Sequence, residues 1–281
     1  FKTTILGTTK VGQVHFKWFG DANKLNSLFP EIKVYLTENA VHITENMERR
    51  GGGILKIELL DFTHAEEGLY QLLVHFETCD SMGANFINSV LENFASSLEA
   101  FFVNYPTMDD NDRDLHIIMS ILSNYTPECV VRSEVSCKIE ELGTFANGIV
   151  AEQLAEKFRT AVKIAHIDPY RATTHNKGIF NGIDAVILAT GNDFRATEAA
   201  GHPYAAKDGQ YRSLSYCEIN DGIFRFWLDV PLAIGTVGGL TSLHPLAKKT
   251  LDILGNPSAE KLMRIIASVG LAQNFAALRS L

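Results

Sequence analysis

Patterns that build metal sites or disulfides are missing from this 281-residue chain. Its four cysteines, Cys79, Cys129, Cys137 and Cys217, include no C-x-x-C pair, and none stands beside a histidine cluster. Neither a zinc site nor a disulfide framework is expected, and reduced thiols in a cytoplasmic protein are the plain reading. His175, His202 and His244 lack an i, i+4 partner, so no metal is expected there either. A basic excess is also missing. The formal net charge is −8, which repels phosphate backbones and argues against a nucleic-acid partner. An anionic ligand would have to bind where helix N-termini and selected Arg or Lys side chains oppose that field. The longest apolar run, about 183–190, is too short to span a bilayer, so no membrane partner is expected. There is no internal repeat, no low-complexity tract and no basic-then-apolar leader. The chain opens on Phe1 rather than Met, so a natural start upstream is expected.

What is present has ordinary globular composition, 46% hydrophobic and 21% charged, at a length that suits one large domain or two smaller ones. Residues 13–18 alternate as a half-buried strand does. A short helical turn over 24–28 and a helix over 33–48 follow; Arg49-Arg50 and Gly51-Gly52-Gly53 would end that helix. Strands are expected over 54–60 and 71–77, then a helix over 83–103 with apolar residues Phe86, Val90, Phe94, Leu98 and Phe101 in register, then a strand over 115–122. Mixed in this way, without regular βαβ alternation, these elements suggest an α+β sandwich. The acidic stretch 105–113 reads as a solvated loop, and Asp109–Asp114 and Glu140-Glu141 as solvated faces. Further on come a strand over 130–140, a helix over 148–165 and a low-charge helix over 176–200 that should be a buried centre. A strand pair around Asn220-Asp221-Gly222, a Gly-rich turn at 235–241 and helices over 245–254 and 259–269 complete the chain.

Four clusters could carry chemistry. Asp80-Ser81-Met82-Gly83-Ala84-Asn85 links a strand to a helix, where unpaired backbone N–H groups and the helix dipole would favour phosphate; alternatively Asp80 is only the helix N-cap. Arg171-Ala172-Thr173-Thr174-His175-Asn176-Lys177-Gly178 gathers cations and hydroxyls. It is either a carboxylate clamp with an ammonium for a developing alkoxide, or a solvated capping turn. In Thr190-Gly191-Asn192-Asp193 the carboxylate should be desolvated, and so in need of a partner, either Lys177 or Arg195. Gly235-Thr236-Val237-Gly238-Gly239-Leu240-Thr241 would cradle a ligand or simply join a strand to a helix.

In order and in detail these segments resemble the soluble, bacterial-type (class II) 3-hydroxy-3-methylglutaryl-coenzyme A (HMG-CoA) reductases. Thr78-Cys79-Asp80-Ser81-Met82-Gly83-Ala84-Asn85 resembles the family's D-A-M-G-x-N dinucleotide signature, with Ser81 in place of alanine. His175-Asn176-Lys177-Gly178-Ile179-Phe180-Asn181-Gly182 is similar to the segment with its catalytic lysine, and Ala189-Thr190-Gly191-Asn192-Asp193 to that with its catalytic aspartate. Residues 235–241 resemble its G-T-V-G-G-x-T turn, and Gly270-Leu271-Ala272-Gln273-Asn274 the segment beyond. Gly51-Gly52-Gly53 and Asp168-Pro169-Tyr170-Arg171 resemble the class II branch. The resemblance implies an α+β fold in two parts. Residues 1–125 would be a small α/β (ferredoxin-like) dinucleotide-binding domain, its first residues belonging to the large one. Residues 126–281 would be a helical substrate-binding and dimerisation domain built around a buried central helix, here without the C-terminal flap.

It also implies a four-electron reduction of HMG-CoA to mevalonate and CoA with two nicotinamide hydrides, in a cytoplasmic homodimer with the active site at the subunit interface. Lys177 would neutralise the oxyanion and Asp193 would keep Lys177 charged and oriented. Arg171, Thr174 and Asn181 would bind HMG. Met82, Gly83, Ala84 and Asn85 would take the pyrophosphate at the helix N-terminus, with Asp80 also in the cofactor site and Asn124, Val237 and Gly238 near the nicotinamide. The family's proton-donating glutamate and the histidine of its flap fall outside these residues, so this polypeptide alone is expected to bind ligand poorly and turn over little. A catalytically incompetent fragment, or a dimeric ligand-binding scaffold of the same fold, is the alternative. Where NAD-preferring members carry an acidic residue on the ribose, this chain has Thr44, flanked by Glu45. With Arg49 or Arg50 available to a 2′-phosphate, the expectation tilts to NADPH over NADH.

Overall fold

The computed structural model describes residues 1–110, 112–143 and 150–280. The chain forms two compact units, one of Thr9–Ser123 and one of Phe1–Thr8 with Asn124–Leu281.

The 9–123 unit runs β2 (Lys10–Trp18), α1 (Ala22–Glu48), β3 (Gly53–Asp61), β4 (Leu69–Glu77), α2 (Ala84–Asn104), β5 (Leu115–Leu122). Its sheet has the order β3-β4-β2-β5 with every pairing antiparallel, the β-α-β-β-α-β arrangement of ferredoxin-like folds. Alternation places Val14, Phe16 and Trp18 of β2 in the core with Phe94, Leu98 and Phe102 of α2 and Leu28, Ile32 and Leu36 of α1.

Helix α1 is continuous through Pro30, where the sequence suggested two pieces. Proline removes the N–H that would reach the Asn26 carbonyl, but both residues are exposed, so water satisfies that oxygen. Leu25 and Leu28 before the proline and Ile32 and Leu36 after it enter one core, and that packing outweighs the local penalty. The helix ends where expected. Gly51 and Gly53 have φ of +91° and +120°, and Gly51 and Gly52 return hydrogen bonds to the carbonyls of Glu48 and Met47. The acidic stretch after α2 is not wholly solvated, however. Asp112 is buried, paired with Lys24, and its carbonyl accepts the Trp18 indole N–H at 2.7 Å.

In the other unit the sheet order is β1-β6-β8-β7, again antiparallel, from β1 (Lys2–Ile5), β6 (Val130–Lys138), β7 (Ser215–Asn220) and β8 (Ile223–Pro231). Strand β1 was not foreseen, and β6 stops at Lys138, where a 3-10 turn takes over. Its helices are α3 (Ala151–Ile167), α4 (Pro169–Ala189), α5 (Phe194–Ala205), α6 (Leu240–Leu243), α7 (Pro245–Ile253) and α8 (Ala259–Arg279). The expected start of α3 at 148 lies outside the described residues.

The long helix expected over 176–200 is two helices, broken at Gly191 (φ +72°) and restarted by Asp193 as N-cap. Helix α4 begins seven residues earlier than expected, because Asp168 caps it and Pro169 opens it without losing a bond. It lies against α8 at short range. A Cβ on Gly182 would stand 2.9 Å from Gln273 Cβ and 3.0 Å from the Val269 carbonyl, and one on Gly270 2.8 Å from Ile183. Only glycine allows that approach. Helix α8 runs ten residues past its expected end because Leu271, Asn274 and Leu278 keep it on the core.

Candidate active site

In the 9–123 unit the geometry centres on the start of α2. Gly83 is the N-cap, in the left-handed region at φ +88°, and it contributes no side chain to the first turn. Asp80 is therefore not the cap, and is exposed on the loop before it. The loop is tied from within: Thr78 Oγ1 donates to the Ser81 carbonyl at 2.7 Å, and Ser81 Oγ to the Thr78 carbonyl at 2.9 Å. A side chain on Gly83 would collide with Thr78. The result is a 21-residue helix whose leading N–H groups have no side-chain cap, with Met82 and Ala84 half-buried and Asn85 exposed. Such a start attracts an anion through its dipole and its donors.

The residues around this loop hold two corrections. Thr44 lies on the core-facing side of α1 and is 1% exposed, so its hydroxyl is not offered to a ligand. Arg49 is engaged by Glu45 at 2.8 Å, while Arg50 lies at the loop, its carbonyl accepting from Cys79 Sγ at 3.3 Å. Burial, with Glu77 and Asp80, pushes the Cys79 thiol up, while Lys10 and Arg50 pull it the other way. Lys10 was not picked out from sequence. The signal was there: counting back by twos from Trp18, Phe16, Val14 and Gly12 puts Lys10 on the helix side of β2.

In the other unit, α4 carries Arg171, Thr174, Lys177 and Asn181 along one face at helical spacing. Arg171 is half-buried and the other three exposed. The stripe is part of the helix rather than a turn before it. Its opposite face is anchored by buried polar groups. Asn176 donates to the Arg212 carbonyl at 2.8 Å and accepts from Leu214 N at 2.9 Å. His175, 2% exposed, meets Ser215 Oγ at 2.7 Å, and Ser215 donates to Asn274 Oδ1 at 2.7 Å. With the serine proton committed to Asn274, His175 Nε2 is the donor and Nδ1 has no partner. Burial, then the charge of Arg171, drives its pKa down to about 4, so the ring is neutral.

Asp193 is less desolvated than expected. Its side chain is 40% exposed, and of the two partners left open it takes Arg195, at 3.4 Å, with backbone N–H bonds from Arg195 and Ala196. Partial burial raises its pKa, but those bonds outweigh it and the net shift is downward. Asn192 beside it accepts the Gly235 N–H at 2.9 Å, which ties this turn to the glycine-rich one. There Gly238 and Gly239 have positive φ, and Val237 is exposed. Asn124 is exposed between β5 and β6. Sequence reading also missed Asp184, half-buried on α4 with Oδ1 lacking a donor; burial, then the Glu198 carboxylate, raises its pKa to about 6. Among the described residues no three metal-ligating side chains converge, and no helix is long and apolar enough to cross a membrane.

A ferredoxin-like unit with an anion-attracting helix start, and a helical unit presenting cations, hydroxyl and amide along one helix, define a class of two-part α+β proteins. The comparisons name the family. The model of the hydroxymethylglutaryl-coenzyme A reductase family matches residues 1–281, and the chain belongs to that family. A 3-hydroxy-3-methylglutaryl-coenzyme A reductase of Archaeoglobus fulgidus is 34% identical over 284 residues, covering 100% of this chain and 60% of its own length. The class II enzyme of Streptococcus pneumoniae, solved bound to NADPH in open conformations, superposes with a TM-score of 0.86 at 34% identity over 99% of this chain and 72% of that one. A second structure of the S. pneumoniae reductase matches equally well. The chain spans about three fifths of the length of the curated relatives it matches.

Proposed function

We propose that the protein is a class II HMG-CoA reductase, converting HMG-CoA and two equivalents of NAD(P)H to mevalonate and CoA. The observation that carries this is the α4 stripe, which offers Arg171, Thr174, Lys177 and Asn181 to one side in a chain of this family. A non-catalytic scaffold is not favoured, since the relatives are named as reductases. The cofactor fits the start of α2, where Gly83 leaves leading N–H groups without a side-chain cap. When bound, it supplies the hydrides. Arg171 holds the HMG carboxylate through its planar pair of donors, and Thr174 and Asn181 bind the remaining carboxylate and hydroxyl oxygens. Lys177 then faces the thioester carbonyl. The first reduction leaves a thiohemiacetal oxyanion, which the ammonium neutralises; expulsion of the CoA thiolate gives an aldehyde; the second reduction repeats the need at the same oxygen. Asp193 steadies Lys177 once a ligand draws the two together, at the expense of its contact with Arg195.

The active protein is proposed to be a cytoplasmic homodimer. Exposed Tyr170 and Leu188 on α4, beside the stripe, suit a second subunit there. NADPH is the proposed reductant, from the NADPH-bound relative and from Arg50 rather than Thr44. The complete gene product should oxidise NADPH only when HMG-CoA is present. Lys177→Ala should lower kcat by at least about a hundredfold, the scale for removing one oxyanion-stabilising group. Absence of HMG-CoA-dependent oxidation with either nicotinamide would sink the reading, and an unchanged kcat in the lysine variant would sink the role.

A further inference from the structure

We infer that Lys10 is the cation of the anion site at the start of α2, its ammonium binding the pyrophosphate of the dinucleotide. This rests on the reading above of an NAD(P)H-dependent enzyme. Lys10 is the first residue of β2 and is 5% exposed, an unusual condition for a lysine. No side-chain hydrogen bond or ion pair joins it to another described residue, and its Nζ is not among the sealed polar atoms, so a ligand can reach the ammonium although the stem is covered.

Its direction follows from the strand. In register Lys10 faces Phe76, next to the end of β4 from which the loop at 78–83 departs. Gly12, two residues on and on the same face, abuts Ile87 and Leu91 of α2. One pleat nearer the helix start, Lys10 therefore sits under the first turn of α2 rather than beside its middle. Its charge is felt at Cys79, inside the loop. The stem is thus covered by protein while the ammonium reaches the loop. Two independent features converge: a helix start with no side-chain cap at Gly83, and a nearly buried lysine on the neighbouring strand whose charge acts at the same loop. Of the nearby carboxylates, Glu77 accepts the Cys79 N–H at 2.8 Å and Asp80 is exposed on the loop. A pyrophosphate meets the need of both features, accepting from backbone N–H groups with some oxygens and from Lys10 with another.

The test uses the complete gene product, with inorganic pyrophosphate and NADPH as separate titrants. In calorimetry Lys10→Met should weaken pyrophosphate roughly ten- to a hundredfold, as for loss of one charge-assisted hydrogen bond, and should flatten the salt dependence of binding. NADPH affinity should fall in parallel, with KM rising more than kcat falls, and Lys10→Arg should recover most of the loss. Wild-type binding of pyrophosphate that leaves the Lys10 ammonium NMR signal unmoved would overturn the assignment, and that readout serves even if Lys10→Met does not fold. So would a folded Lys10→Met protein that binds pyrophosphate as well as wild type, or no recovery with arginine. Pyrophosphate binding through Lys10 without any turnover of HMG-CoA would sink the catalytic reading and leave this one standing.

Discussion

On the proposed function, cofactor choice turns on single side chains around the end of α1, and there the pairing of charges matters more than their number. Thr44 lies in the core, so its lack of charge does not act on a ribose directly. Glu45 and Arg49 answer each other four residues apart on one exposed helix face. That leaves Arg50, exposed and free of an ion pair among the described residues, at the loop that leads to α2. Arg50→Ala should lower kcat/KM for NADPH roughly tenfold while changing that for NADH little, because only the former carries a 2′-phosphate for the guanidinium to hold. Equal losses with both nicotinamides would show that Arg50 does not read the phosphate. The motif residues themselves were legible in sequence. Their company was not: Lys10 is 73 positions from Gly83, the helix start it serves, and nothing local marks a strand lysine as inward until the strand's face is known.

Among the elements, α4 and α8 show how composition becomes position. Glycines 182 and 270 remove side chains where the two helices meet, so α4 can be buried on one side and still present its stripe on the other. Gly182→Ala should cost about 1–3 kcal/mol, the range for overpacking a tight core, because the obstacles are the Val269 carbonyl and a Cβ rather than a flexible chain end. A denaturation midpoint equal to wild type would contradict the close approach. The helical pattern was readable in outline, but its breaks were not. At Pro30 the sequence argued for an interruption and burial on both sides overrode it; at Gly191 a long low-charge stretch argued for continuity and a left-handed residue ended it. The end of α8 was misjudged for a related reason. Asn274 weakens an apolar pattern, yet here it is a buried partner of Ser215.

At the scale of the whole molecule, buried His175 and half-buried Asp184 give stability opposite dependences on pH in one window. His175 has its pKa lowered from 6.5 to about 4, so the folded state resists protonation; its contribution is present above 6.5 and is lost as pH falls toward 4. Asp184 has its pKa raised from 3.8 to about 6, so the folded state holds a proton the unfolded state gives up; its contribution is present below 3.8 and is lost as pH rises through 6. The two offset each other. Asp184→Asn should steepen the loss of stability on acidification from about 6.5 to about 4, and His175→Gln, which can still donate to Ser215, should reverse or flatten it. Chemical denaturation across that range checks both, and parallel curves for all three proteins would remove these groups as the cause.

By itself the sequence determined the family, the alternation that builds each strand, the glycines that end α1, and which clusters could meet an anion or a carboxylate, because these depend on residues close together in the chain. Only the tertiary structure decided what each candidate faces. It put Thr44 in the core, gave Asp193 to Arg195, made Gly83 rather than Asp80 the start of α2, and brought Lys10 beneath that start. Burial and charge pairing are properties of neighbours in space, and strands paired across tens of residues choose those neighbours.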